Sequence, residues 1–294
     1  MTSYDHFLRL MVMIGLVIGG LMVTALVSAA LMLLGGLSFA EIMEMSQKGT
    51  MDFSPNLIRG LLTVQHVMTF ILPGLAFGWI FYQSKFLSGL DLGTNPGLPL
   101  TVLGIFFLLA AYPVVNLSFL VNEAIPLPAW ASAFESQAED TLKAILQMDT
   151  PLIFFFNLVI IAILPGIGEE LIFRGIIQKQ IGLMLRNPIV AIWISAIIFS
   201  AIHLQFEGFL PRMVLGIVLG YLYHWTGNLW VPMLAHAFNN GIQIVLIYAT
   251  GMDVTTFDEK SSDQLQWWML PISIAVMYFI STAIHKNRNL REQA

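Results

Sequence analysis

The chain has no cysteine in its 294 residues, and only 11% of its side chains are charged, against about 25% in soluble domains. Without a thiol there is no disulfide framework, no thiolate metal ligand and no cysteine nucleophile, so several enzyme classes are excluded together. With 57% hydrophobic residues and a mean hydropathy of +0.79, the chain cannot cover itself with a water-compatible surface. The net charge of −5 offers no electrostatic footprint for nucleic acid.

What the chain does have is long apolar runs. A span requires about 20 mostly apolar residues, and eight segments answer to this at roughly 10 to 34, 59 to 83, 99 to 122, 151 to 175, 188 to 204, 210 to 225, 229 to 249 and 266 to 285. The fold expected is an all-α polytopic bundle of about eight transmembrane helices in a lipid bilayer. The first run is too long for a signal-peptide core and reads as a retained anchor.

Connections near 37 to 58, 123 to 150 and 250 to 265 carry twelve acidic residues, among them Glu41, Glu135 and Asp258, against Lys48, Lys143 and Lys260. The other connections and the ends carry Arg9, Lys85, Lys179, Arg186, Lys286, Arg288 and Arg291. Because Lys and Arg collect on the cytoplasmic side, both termini are expected there, in the plasma (inner) membrane. Three regions are expected: helices and polar loops over 1–150, a core of helices over 151–250, and a last helix with a basic tail over 251–294. The polar stretch 123–150 is long enough for an interfacial helix.

Within the apolar run 151–175 stands Glu169-Glu170-Leu171-Ile172-Phe173-Arg174. Charges at membrane depth persist where they pair or line a wet cavity. On a helix Glu170 and Arg174 share a face, whereas Glu169 points elsewhere, so the two glutamates have different roles. Pro165 and Gly166 are expected to bend the segment just before it. Further on, Phe199 and His203 are four apart, as are His236 and Asn240. Alone, an i, i+4 Glu–Arg pair is most often structural and a lone helical histidine is most often packing. Three polar stripes converging on one point instead make a pocket.

A buried carboxylate with an imidazole can deprotonate a water, and an imidazole with an amide can stabilise the oxyanion that follows. The inventory suits peptide-bond hydrolysis.

These residues resemble the EExxxR, FxxxH and HxxxN motifs of the CPBP family of intramembrane proteases, which includes CAAX prenyl endopeptidases and bacteriocin-processing and immunity proteins. The stretch Tyr223 to Pro232 resembles the family too; the first half does so only in being transmembrane helices. The resemblance implies that Glu169 and His203 activate water, that His236 and Asn240 stabilise the oxyanion, and that Glu170, Arg174 and Phe199 support them. The substrate implied is a membrane-associated or lipidated peptide or protein. There is no HExxH zinc motif; Glu169, His203 and His236 would be the ligands if zinc were bound, and the metal-free water mechanism is favoured.

His66 and His224 read as packing residues, and His6 and His285 as solvated. Gly15 with Gly19 and Gly216 with Gly220 form faces that favour close helix approach, in internal packing or a homodimer. A proton-coupled transporter would use similar residue types, but the first three segments hold almost no intramembrane charge and no repeat relates the halves. A catalytically silent immunity or scaffold protein is the other alternative. Counting depth from the segment ends puts the pocket in the cytoplasmic half.

Overall fold

The computed structural model describes residues 2–48, 53–251 and 266–292, which form helices and connections. Asp52 and the acidic group Asp253, Asp258, Glu259 and Asp263 lie outside the described residues. All eight expected segments are helical: α1 (Ser3–Leu34), α3 (Pro55–Gly89), α4 (Gly97–Glu123), α6 (Pro151–Leu185), α7 (Pro188–Ala201), α8 (Phe209–Thr226), α9 (Trp230–Thr250) and α10 (Met269–Glu292). Between them lie α2 (Phe39–Lys48) and the expected helix of the polar loop, α5 (Ala129–Ile145).

Five of these, α1, α3, α4, α6 and α10, are long and apolar enough to cross a membrane. The helix α7 is apolar but only 14 residues long. The remaining two are diluted by polar residues, Arg212 on α8 and His236, Asn239, Asn240 and Gln243 on α9, all of which line one cavity.

Helix α6 is central and packs on α1, α3, α7 and α9. Its residues Leu171, Ile172, Phe173 and Ile176 form a buried cluster with Met13, Phe77, Phe199, Tyr223 and Met233. A second cluster joins α4, α8 and α9 to α10 through residues such as Phe107, Leu222, Val231 and Ile284. Both start signals of α6 and α7 are local: Thr150 and Asn187 accept from the first free backbone N–H groups, and Pro151 and Pro188 follow.

The long helices are not regular. Turns Val67–Ile71 of α3 and Leu158–Ile163 of α6 widen to π geometry, each just before a proline, Pro73 and Pro165. A proline donates no N–H and crowds the carbonyl one turn back, and the wider turn accommodates it without ending the helix. The bend expected at Pro165 thus takes the form of a π turn upstream. A third, Phe173–Gln178, contains Arg174.

The glycine faces behave differently from one another. Gly216 and Gly220 press on Ala196 and Ile192 of α7, so this face serves internal packing. Its bareness also exposes α8 carbonyls, and Arg174 and Gln178 of α6 donate to those of Gly216 and Gly220, both at 3.0 Å. Around Gly15 and Gly19 there is open space, and the close contact falls on Gly20, where a Cβ would collide with the Met68 carbonyl oxygen.

The two ends of the bundle differ in charge. At one, Ser3 donates to the Met184 carbonyl and Arg288 to the Trp225 carbonyl, so both termini lie beside the α6–α7 and α8–α9 turns, with Arg9, Lys179 and Arg186. Asp91 anchors that end, accepting from Lys179 Nζ at 2.6 Å and from the Tyr223 hydroxyl. His6, expected to be solvated, is buried there, its Nδ1 2.8 Å from Gln180 Oε1. At the opposite end α5 packs on α3, and Glu135 accepts from the Glu207 backbone N–H at 3.0 Å. Partial burial and then the nearby Glu135 push the Glu207 carboxyl up.

Gly20→Ala should lower stability by about 1–3 kcal/mol, because the obstructing atom is backbone and cannot rotate away. Gly19→Ala should leave it unchanged. Thermal unfolding of the two variants in one detergent makes the comparison, and equal melting temperatures would contradict the packing described.

Candidate active site

Glu170 and Arg174 are fully buried, with Arg174 Nη1 2.8 Å from Glu170 Oε1. The guanidinium also donates from Nη2 to the Gly216 carbonyl and lies 4.7 Å over the Phe199 ring. The three residues form one stack that ties α6 to α7 and α8. Glu170 Oε1 makes a further contact, His236 Nδ1 at 2.9 Å. With that nitrogen donating to the carboxylate, the His236 ring is fixed and its Nε2 looks back toward Glu169 Oε2, 4.0 Å away.

Glu169 faces the other way, into a cavity of about 550 Å³ also lined by His66, His203, Arg212, His236 and Asn240. The opposed directions of the two glutamates follow from their adjacency on a helix. His203 lies just past the end of α7, and its Nδ1 donates to the Phe199 carbonyl at 2.7 Å, leaving Nε2 as an acceptor. Phe199 stacks edge-on between His203 and His236, with centroids at 5.1 and 6.1 Å. The motif phenylalanine therefore contacts both imidazoles and the arginine.

Asn240 donates from Nδ2 to the Ile161 carbonyl at 3.1 Å. This is the carbonyl that Pro165 cannot reach one turn later, so the proline and the asparagine compensate for one another. One of the two amide N–H groups is thereby committed. The amide oxygen accepts from Asn239, whose own oxygen accepts from the Tyr112 hydroxyl at 3.0 Å.

The level at which these groups meet differs from the expectation. Helix α6 runs on to Leu185 instead of ending near 175, so Glu169 is 16 residues before its end, and His203 is 15 residues past the start of α7. An antiparallel hairpin then puts them at equal height, with no tilt needed. The cavity walls include Ile145, at the end of α5, and Gly208, beside Glu207. It therefore lies toward the acidic end of the bundle, away from the termini, and not toward the basic end.

His66 was missed. Read as packing, it stands with Nε2 3.7 Å from Glu169 Oε1. It has no charged neighbour at helical spacing, only Thr63 and Thr69, and the contact crosses 103 positions of sequence, so no local signal marks it. His224 is exposed, and His285 is exposed and bound to its own helix.

Among the described residues no cluster of three or more His, Asp or Glu side chains is arranged to hold an ion. Glu169, His203 and His236 thus share a cavity without forming a ligand set, and the geometry gives no support to a metalloendopeptidase.

The three motifs converge on one cavity, and the family model for type II CAAX prenyl endopeptidase Rce1-like proteins matches residues 151–242. Over this stretch the chain is similar to the Rce1-like proteins. Two curated proteins are similar to part of this chain. The protein YpbD of Bacillus subtilis strain 168 is 34% identical over 84 residues, 27% of this chain and 40% of that protein. The membrane-embedded CAAX protease MroQ of Staphylococcus aureus strain USA300 is 26% identical over 106 residues, 34% of this chain and 41% of that protein. The chain thus spans about two fifths of the length of these curated relatives. No solved structure matches it. The Rce1-like match starts at the first residue of α6 and ends within α9, so Glu169, Glu170, Arg174, Phe199, His203, His236 and Asn240 all fall inside it, and His66 outside.

Glu170→Ala should cost about 3–5 kcal/mol, the usual loss when one partner of a buried ion pair is removed, because Arg174 is left uncompensated. Glu169→Ala should leave the melting temperature within a degree or two. A larger loss for Glu169→Ala than for Glu170→Ala would reverse the assignment of structural and cavity glutamates.

Proposed function

We propose that the protein is an intramembrane endopeptidase that hydrolyses a peptide bond of a membrane-associated or lipidated protein by means of an activated water. The observation that carries this reading is Glu169: a carboxylate at a cavity, free of the neighbouring ion pair, with imidazole nitrogens directed toward it from other helices.

In the mechanism, a water between Glu169 and His203 gives its proton to the Glu169 carboxylate while its oxygen attacks the carbonyl carbon. His203 orients that water through its accepting Nε2, since Nδ1–H is held by Phe199. The carbonyl oxygen becomes negative next to α9. There His236, held by Glu170 at Nδ1, presents Nε2 to it, and Asn240 donates the amide N–H not taken by Ile161. When the tetrahedral carbon collapses, the C–N bond breaks and Glu169 returns its proton to the leaving nitrogen. The low polarity of the surrounding walls, with Leu62, Leu108, Val115 and Leu219, strengthens each of these charge interactions. The same walls suit an apolar substrate segment arriving from the bilayer.

The protein is proposed to sit in the plasma (inner) membrane with its basic end and both termini cytoplasmic. The cavity then opens in the opposite half. Because the chain has no cysteine, single-cysteine variants at positions such as Ser3 and Glu207 can be labelled with an impermeant maleimide on intact cells; reaction at Ser3 but not Glu207 would refute this orientation.

Glu169→Ala and His203→Ala should abolish hydrolysis, and Asn240→Ala should lower kcat by roughly 100-fold or more with little change in KM, as for loss of one oxyanion donor. Substrates come from comparing the membrane proteomes of cells with the intact chain and with Glu169→Gln, where carboxylate-dependent new termini mark cleavage. Activity of purified protein should survive prolonged chelation. Stoichiometric zinc lost together with activity would instead make Glu169, His203 and His236 ligands, and an absence of any Glu169-dependent terminus would favour a transporter or a silent scaffold.

A further inference from the structure

We infer that His66 is a positioning residue for Glu169, which extends the site beyond the region matched by the family model; the inference rests on the endopeptidase reading above. Its ring is fixed from behind, with Nδ1 donating to the Leu62 carbonyl at 3.0 Å, so that Nε2 is aimed at Glu169 Oε1, 3.7 Å away. The other oxygen, Oε2, faces His236 Nε2 at 4.0 Å. Each carboxylate oxygen thus has one imidazole opposite it. The His66 separation exceeds a direct N–H···O bond of about 2.7–3.2 Å, and catalytic contacts of this kind commonly tighten when substrate binds.

The backbone supplies an independent observation. Helix α3 leaves α geometry immediately after His66, at the π turn Val67–Ile71. That turn is clamped on two sides by glycines. A Cβ at Gly20 of α1 would strike the Met68 carbonyl, and one at Gly168 of α6 would stand 3.0 Å from Phe70 Cβ and 3.1 Å from Ile71 Cγ1. Gly168 directly precedes Glu169. The bare position therefore lets α3 touch the stretch of α6 that carries the carboxylate, and brings an N-terminal imidazole into a site otherwise built from α6 to α9. Isolated π turns recur at functional sites because they re-aim side chains without breaking the helix.

With Nδ1–H committed to the Leu62 carbonyl, His66 holds Oε1 as an imidazolium that carries its second proton on Nε2; the Glu169 carboxylate is then locked in one rotamer and presents Oε2 to the attacking water. His66 does not touch the reacting atoms. Its loss should therefore change how often the base is correctly placed, and not how substrate binds.

The test uses full-length protein in detergent and an internally quenched peptide copied from a Glu169-dependent terminus. His66→Leu should lower kcat by about 10- to 100-fold, the usual cost of removing a group that orients an acting residue, with KM and melting temperature unchanged. His66→Gln, which keeps a side-chain N–H, should recover most of the rate. An unchanged kcat in His66→Leu, or an equal loss in both variants with a raised KM, overturns the inference. A spectroscopic arm works without activity. The infrared difference between wild type and Glu169→Gln, each labelled with 13C-glutamate, assigns the Glu169 carboxylate band. That band should shift in His66→Leu and hold its place in His66→Gln, and a band unmoved by His66→Leu is the opposing result. If wild type shows no Glu169-dependent cleavage, the endopeptidase reading fails while this band still decides the role of His66.

Discussion

The buried Glu170–Arg174 pair is the interaction on which the rest of the arrangement depends. Two opposite charges with no exposure have lost their hydration, and their mutual attraction has to offset this together with further contacts. Those contacts come from three further helices, through the Gly216 carbonyl of α8, the Phe199 ring of α7 and His236 Nδ1 of α9, while Glu170 Oε2 and Arg174 Nε have no hydrogen-bond partner among the described residues. The pair therefore specifies how α6, α7, α8 and α9 meet. Because it neutralises one glutamate, it also leaves the adjacent one, Glu169, as the carboxylate of the cavity.

A bundle that places polar groups so tightly needs helices that approach more closely than ordinary side chains permit. Gly216 and Gly220 expose carbonyls to Arg174 and Gln178, and Gly20 and Gly168 admit the π turn of α3. Backbone irregularity is the complement of this closeness. Where Pro165 removes a donor, the Ile161 carbonyl is taken up by Asn240, so a break in α6 becomes an attachment point for α9.

The cavity combines polar groups in its wall with apolar residues such as Leu62, Leu108 and Leu219. Polar groups in such surroundings interact strongly with each other and with any charge that develops among them, which suits the proposed hydrolysis. The clustering of α5, Glu135 and Glu207 near one end, with Arg9, Lys179 and both termini near the other, gives the molecule a polarity along its axis.

Much of this was legible in the sequence because it is short-range. Apolar run length marks spanning helices, so all eight segments were found, and helical periodicity separates Glu169 from Glu170 and pairs Glu170 with Arg174, which needs only four residues of context. The helix at 129–145 and the packing role of Gly216 and Gly220 were readable for the same reason. What the tertiary structure alone decided involves contacts between distant segments or helix ends that composition does not mark. The apolar character of α6 fades gradually, so its extension to Leu185, and with it the height of Glu169 and the end of the bundle at which the cavity lies, could not be set from hydropathy. His6 became buried because Gln180, far along the chain, closes over it. His66 entered the site because a π turn and a glycine in another helix bring two segments together, and no pattern local to His66 contains that information.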